Sequence, residues 1–128
     1  MEILITGSDG FIAKNLISRL RSLKNVKLNL YSKRTDPKKL KKLIIQSDQI
    51  IHLAGENRSN KKADFHKNNF LLTKKIADII VSNNLNKKII YSSTIQFKEN
   101  NYYGKTKIKA ENFLKNIISS TKSKLKIY

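Results

Sequence analysis

Glu2-Ile3-Leu4-Ile5-Thr6-Gly7-Ser8-Asp9-Gly10-Phe11-Ile12-Ala13 opens the chain with the pattern of a strand, a glycine bend and the start of a helix. Ile3, Leu4 and Ile5 form a short apolar run, as expected of a strand buried on both faces. Beyond the bend, Ile12, Leu16, Ile17, Leu20 and Leu23 follow the spacing of one helical face. Gly7 allows a tight turn, Gly10 lets an anionic group approach the backbone, and Ala13 lets helix and sheet pack closely. This context favours a phosphate-binding loop over an ordinary strand-to-helix turn. The spacing is Gly-x-x-Gly-x-x-Ala, however, and not the commoner Gly-x-Gly-x-x-Gly.

Val26 to Ser32 alternates Val26, Leu28 and Leu30 and reads as the second strand. In dinucleotide-binding folds a carboxylate at the end of this strand recognises an unmodified ribose 2′-hydroxyl. Here Tyr31-Ser32-Lys33-Arg34 follows, with no acid until Asp36. Lys33 and Arg34 suit a ribose 2′-phosphate, Arg34 with a bidentate fork, so NADP (NADPH) is expected over NAD. The alternative is that both are ordinary loop cations in a lysine-rich chain.

Asp36-Pro37 reads as a helix cap with proline at the first helical position, the helix reaching about Ser47 with Leu40, Leu43 and Ile44 inward. Asp48 to Gly55 is a buried strand ending in small residues, where a planar ring or ribose can lie against the backbone. His52 has no second histidine or carboxylate at ligand spacing, so a structural role is expected and no metal. After a polar loop, a long helix over residues 63–83 turns Phe65, Phe70, Ile76, Ala77 and Ile80 inward, with Asn69 on it. Lys88 to Ser92 is a strand that delivers Ser92-Ser93-Thr94 to the same edge, either as a hydrogen-bond donor to a substrate carbonyl or as a turn cap. A helix from about Tyr103 to Ser120 and a strand beginning at Leu125 complete the chain.

Within Asn101-Tyr102-Tyr103-Gly104-Lys105-Thr106-Lys107, a helix would send Tyr103 and Lys107 out of one face. An ammonium beside a phenol favours its ionised form and moves it toward the range of a general acid or base. Tyr102 has Thr106 at that spacing and gains no charge. A solvated helix start would carry the same residues.

With 128 residues, one domain with one modest core is expected. The absence of cysteine excludes a disulfide frame or a thiolate metal site. No apolar run approaches the ~18 residues of a membrane helix, and no signal sequence is visible, so a cytoplasmic protein without membrane contact is expected. The net charge of +18 is spread over nearly every segment and not gathered into a stripe. Non-specific attraction to nucleic acid at low salt is expected from it, but no specific binding.

The order βαβαβαβαβ implies an α/β fold, a Rossmann-like parallel sheet of about five strands with helices on both faces. The expected strand order is 2-1-3-4-5, which brings the loops after the first, third and fourth strands to one edge.

Thr6-Gly7-x-x-Gly10-Phe11-Ile12-Ala13, His52-Leu53-Ala54-Gly55, Ser92-Ser93-Thr94 and Tyr103-x-x-x-Lys107 with Ala110-Glu111 behind it together resemble the extended short-chain dehydrogenase/reductase family. Nucleotide-sugar epimerases, dehydratases and reductases belong to it. His52 to Arg58, with Ser93-Thr94-Ile95-Gln96 and Asn101-Tyr102-Tyr103-Gly104, is similar to one branch. That branch reduces a 4-keto-6-deoxy UDP-N-acetylhexosamine with NADPH in capsular polysaccharide synthesis.

The resemblance implies Tyr103 as general acid, Lys107 as the group that lowers its pKa and holds the nicotinamide ribose, and Thr94 as hydrogen-bond donor to the carbonyl. It implies Gly7, Gly10, Phe11 and Ile12 along the pyrophosphate, and Ser32, Lys33 and Arg34 at the adenosine 2′ position. Leu53, Ala54 and Gly55 would flank the cofactor, and Asn69 matches a helix asparagine that supports site geometry. Ala13 replaces the commoner glycine but is still small.

Family members run to well over twice this length. The expectation is therefore an NAD(P)-binding domain over residues 1–128 that lacks the lobe for a UDP-linked nucleotide-sugar, with little turnover alone. An exposed edge on its last strand would favour a homodimer. An epimerase or dehydratase with the same triad, a non-catalytic NADP-binding module and a basic nucleic-acid-binding domain are the other readings. Ile95 and Gln96 after Thr94, where dehydratases add acids, lean toward a reductase or epimerase.

Overall fold

The computed structural model describes residues 1–95 and 101–128; Gln96 lies outside the described residues. Strands β1 (Glu2–Thr6), β2 (Lys27–Tyr31), β3 (Gln49–His52), β4 (Lys88–Tyr91) and β5 (Lys124–Ile127) form one sheet in the order β2-β1-β3-β4-β5. Every neighbouring pair is parallel. The expected α/β architecture and strand order are therefore the observed ones. The register aligns Tyr31, Thr6, His52, Tyr91 and Ile127 in a single row at the carboxyl rim. The chain leaves β1 for β2 on one side and crosses to β3 on the other, so the strand order reverses at β1, where open α/β sheets bind ligands.

The helices are α1 (Phe11–Leu20), α2 (Lys39–Gln46), α3 (Lys62–Phe65), α4 (Leu72–Ser82) and α5 (Tyr102–Ser119). Ala13 and Ile17 of α1 pack on Ile3, Ile5 and Ile51. On the opposite face Leu40 and Ile44 of α2, Ile76 and Ile80 of α4, and Leu114 and Ile118 of α5 cover Leu4, Ile50, Ile89 and Tyr91. Each of these isoleucine and leucine side chains, withdrawn from water, contributes about 1.5–3 kcal/mol. Lys27 on β2 and Lys124 and Lys126 on β5 stand exposed on the two outer strands, where charge discourages pairing with another sheet. Among the described residues no helix is long and apolar enough to cross a membrane.

Three expectations differ from the structure in detail. Ile12 and Leu23, assigned to the inner stripe of the first helix, are 65% and 52% exposed. Ile12 falls in the first turn at the rim, and α1 ends at Leu20, so Leu23 lies in a turn beyond it. At α2 the Asp36 carboxylate accepts from the Lys38 amide at 3.0 Å, but only turns bridge Pro37 and Lys38 before the regular helix begins at Lys39. The helix read over residues 63–83 is three pieces, because a π-helical segment, His66–Leu71, separates α3 from α4. There the Leu72 amide donates to Lys67 carbonyl, five residues back, and the Thr73 hydroxyl takes the Asn69 carbonyl at 2.9 Å. Widened turns of this kind often mark functional sites.

The bend after β1 has little freedom. Gly7 has a φ of 70°, and a Cβ there would lie 2.7 Å from both the Cα and the nitrogen of Ala54. Gly7→Ala combines left-handed strain with a backbone clash and is expected to cost about 2–4 kcal/mol. At Gly10 an added Cβ would meet only the Gly7 carbonyl oxygen at 3.1 Å, so Gly10→Ala should cost less. Urea unfolding of the two variants checks the ranking; equal and small losses would contradict it.

Candidate functional site

The glycine loop is closed by its own backbone: the Gly10 amide donates to the Gly7 carbonyl at 2.9 Å and the Ser8 amide to the Tyr31 carbonyl at 3.1 Å. Gly10 then caps α1 in an extended conformation, with no side-chain cap and no acidic residue in the first turn. The leading amides of α1 are thus left for an outside acceptor at the rim, the arrangement that binds phosphate groups. Phe11 and Ile12 stand exposed beside them, while Ala13 is buried against the sheet. The bare backbone at Gly7 and Gly10 and the uncapped helix end fit the pyrophosphate of a dinucleotide.

Behind this loop runs a chain of polar groups from the end of β1 to the π-helical segment. The Ala54 amide donates to Thr6 Oγ1 at 3.2 Å, and Thr6 Oγ1 lies 2.6 Å from His52 Nδ1. On the other side His52 Nε2 is 2.8 Å from Thr73 Oγ1, whose proton goes to the Asn69 carbonyl. Thr73 therefore accepts from His52, which puts the ring proton on Nε2 and leaves Nδ1 to accept from Thr6. Burial, with the charge of Lys107 second, pushes the imidazole pKa down from 6.5 to about 3. His52 is held neutral and acts as a brace between the end of β1 and the π-helical segment.

Asn69 is buried and its amide clamps the loop after β3. Its Oδ1 accepts from the Glu56 amide at 2.7 Å, while Nδ2 donates to the Glu56 carbonyl and to Thr106 Oγ1, both at 3.0 Å. Thr106 in turn donates to the Tyr102 and Tyr103 carbonyls at 2.8 and 3.1 Å. A Cβ on Gly55 would stand 3.1 Å from Asn69 Oδ1 and 3.8 Å from Lys107 Nζ, so Gly55, Asn69 and Lys107 share one point of the rim.

Lys107 is only 3% exposed. Its ammonium donates to the Ser92 carbonyl and sits 4.3 Å above the ring of Tyr91. Burial lowers its pKa from 10.5 to about 8, with Glu111 opposing the shift. Burial raises the Glu111 carboxyl, but hydrogen bonds from Lys115 and Ser93 and the nearby ammonium charges outweigh it and hold the group below the ordinary carboxylate value. Burial, then Glu111 and Tyr103, pushes the Tyr91 phenol pKa up, and its hydroxyl donates to the Lys107 carbonyl at 3.3 Å.

Asn101 caps α5 by accepting from the Gly104 amide at 2.7 Å, which places Tyr103 in the first turn. Tyr103 and Lys107 therefore leave α5 on the same side. Tyr103 is half-buried, as is Thr94, three residues beyond the end of β4.

At the end of β2, the Ser32 amide donates to Thr35 Oγ1 at 3.0 Å and the Arg34 amide to Ser32 Oγ at 3.3 Å. Arg34 grips Asp9 of the glycine loop through both Nη2 and Nε, at 2.8 and 3.1 Å. Lys33 pairs with Glu56. The acid missing from the strand end is thus supplied by a loop distant in sequence. Asp9, Glu56, Thr106, Thr6 and Thr73 were not singled out by sequence. For Thr106 a signal existed, a hydroxyl on the buried side of a helix; the two acids had none.

The NAD dependent epimerase/dehydratase family matches residues 3–127. The UDP-2-acetamido-2,6-beta-L-arabino-hexul-4-ose reductase of Pseudomonas aeruginosa is 33% identical over 114 residues, which are 89% of this chain and 31% of the relative. The capsular polysaccharide assembling protein CapF of Staphylococcus aureus superposes with a TM-score of 0.80 at 29% identity, over all of this chain and 33% of CapF. UDP-glucuronic acid 4-epimerase of Bacillus cereus, solved with NAD, gives a TM-score of 0.84 at 20% identity, over 99% of this chain and 54% of the epimerase, a likeness of fold. The chain spans about a third of the length of the first two.

The His52 arrangement has a pH consequence. The folded-state pKa of about 3 lies below the ordinary 6.5, so this stabilisation is full above pH 6.5 and is lost as pH falls toward 3. Going from about pH 7.5 to about pH 5, this one group should lower the unfolding free energy by about 2 kcal/mol. His52→Gln should be less stable at neutral pH but lack that part of the slope. Denaturant unfolding at the two pH values measures it; an unchanged slope would contradict the assignment.

Proposed function

The chain belongs to the NAD dependent epimerase/dehydratase family, and on that premise we propose that it forms the cofactor-binding portion of an NADPH-dependent reductase of 4-keto-6-deoxy UDP-N-acetylhexosamines, in cytoplasmic capsule or surface polysaccharide synthesis. The observation that carries the reading is the buried ammonium of Lys107, one face of α5 shared with Tyr103, beside the bare backbone of Gly55. Strongly shifted, desolvated cations at a cleft rim are characteristic of chemical sites. The activity of the Pseudomonas reductase supports the substrate class.

In this reading Gly7, Gly10, Phe11 and Ile12 hold the pyrophosphate on the uncapped end of α1. Ser32, Lys33 and Arg34 receive the adenosine 2′-phosphate, and Leu53, Ala54 and Gly55 give the cofactor a flat wall. NADPH, when bound, supplies a hydride to the carbonyl carbon. Tyr103 gives its phenolic proton to the carbonyl oxygen, so ketone becomes alcohol, and Thr94 donates a hydrogen bond to the same oxygen. Lys107 holds the nicotinamide ribose and stabilises the phenolate that Tyr103 becomes. Asn69, through Glu56 and Thr106, fixes the backbone around both. The UDP-sugar needs a lobe to orient it within reach of these groups. These residues alone should therefore bind cofactor with little turnover, and a homodimer formed through the outer edge of β5 would have to overcome the charge of Lys124 and Lys126.

Titration of the chain with NADPH and NADH, followed by nucleotide fluorescence, tests the cofactor reading. NADPH should bind about tenfold or more tightly than NADH, and Arg34→Ala should remove the difference. Equal affinities would undo the 2′-phosphate assignment, and binding of neither would undo the reading as a whole.

A further inference from the structure

Both cations assigned to the adenosine 2′ position are already engaged by acids from other loops. Arg34 holds Asp9 bidentately, Nη2 to Oδ1 at 2.8 Å and Nε to Oδ2 at 3.1 Å, and Lys33 holds Glu56. Hydrogen bonds from Arg34 and then Ser32 keep the Asp9 carboxyl below the ordinary carboxylate range, so it carries a full charge at neutral pH. Counting Lys33 and Arg34 against Asp9 and Glu56, these four side chains carry no net charge.

We infer that Asp9 is a specificity-determining residue that competes with the ribose 2′-phosphate for the Arg34 guanidinium and so limits the preference for NADPH over NADH. The inference rests on the cofactor reading above and adds to it the residue that tunes it. Asp9 holds the Nε/Nη2 edge of the guanidinium, so a phosphate monoester must either displace the carboxylate or take the Nη1/Nη2 edge of a cation whose charge is already paired. A 2′-hydroxyl makes no such demand and can itself donate to a carboxylate, so NADH meets no equivalent penalty. The side chains of Arg34 and Asp9 are 83% and 43% exposed. An exposed pair opens at modest cost, so the competition reduces affinity without abolishing it.

The test is a double-mutant cycle on the whole chain: dissociation constants for NADPH and NADH with wild type, Asp9→Asn, Arg34→Ala and the double variant. Asp9→Asn keeps the side-chain shape and removes the charge. It should tighten NADPH about two- to fivefold while NADH is unchanged, and the gain should vanish when Arg34 is alanine. If NADPH and NADH gain equally, or the gain survives without Arg34, Asp9 merely repels the cofactor phosphates and the inference is overturned. A wild type that prefers NADPH with no response to Asp9→Asn would overturn it as well, leaving the cofactor reading intact. Binding of neither dinucleotide by the wild type would remove both.

Discussion

An ammonium withdrawn from water is the costly feature around which this rim is arranged. Lys107 is almost wholly buried, and its depression from 10.5 to about 8 still leaves it mostly charged at neutral pH. At a shift of that size, desolvation exceeds everything that opposes it by roughly 3 kcal/mol. What offsets it is specific: the Ser92 carbonyl, the face of Tyr91, and Glu111 one turn along α5. A side chain at Gly55 would press on Asn69 Oδ1, 3.1 Å from its Cβ, and stand against the ammonium at 3.8 Å. Nothing in the packing of α5 on the sheet requires a cation at this position; Ala110, Leu114 and Ile118 already provide the apolar contact. A methionine would fill the space without the desolvation cost.

The elements around Lys107 are fixed by contacts that leave little slack. Gly7 lies so close to Ala54 that no side chain fits between the bend after β1 and the end of β3, which pack as one body. Thr6, His52 and Thr73 then pass a single ordered set of hydrogen bonds from that body to the Asn69 carbonyl. The Asn69 side chain continues it to Glu56 and Thr106, and Thr106 to the turn that carries Tyr103. Among the described residues no buried side-chain nitrogen or oxygen lacks a partner. A fully satisfied polar network of this kind specifies one geometry, whereas a partly satisfied one would be worse than an apolar core.

The fold was legible in the sequence because its signals are local. Short apolar runs such as Ile3-Leu4-Ile5 and Ile89-Ile90, separated by helical periods, require a parallel sheet covered on both faces, and the short connections set the strand order. The glycine bend was legible for the same reason. Periodicity does not detect a π-helical turn, because one added residue shifts the phase by less than the breadth of an apolar face; hence His66–Leu71 was read as ordinary helix. It also assumes that a pattern continues where the helix has already stopped, which is why Leu23 was assigned to the core. The pairing of Arg34 with Asp9, and of Lys33 with Glu56, joins loops more than twenty residues apart and depends on strand order and register together. Thr106 carried a local signal, a hydroxyl on the buried side of α5, but not its role. Its importance lies in reaching Asn69, which only the packing of α5 on the π-helical segment reveals.

The measurement that bears most directly on this account is the pKa of Lys107 itself, followed by the side-chain carbon resonances of isotopically labelled lysine across an alkaline titration, with Lys107→Arg to assign the signal. A resonance titrating near 8, well apart from the surface lysines, is the predicted result. A Lys107 that titrates with the solvated lysines would mean that the rim is wet and the ammonium unstrained, and the chemical site argued for it would have no physical basis.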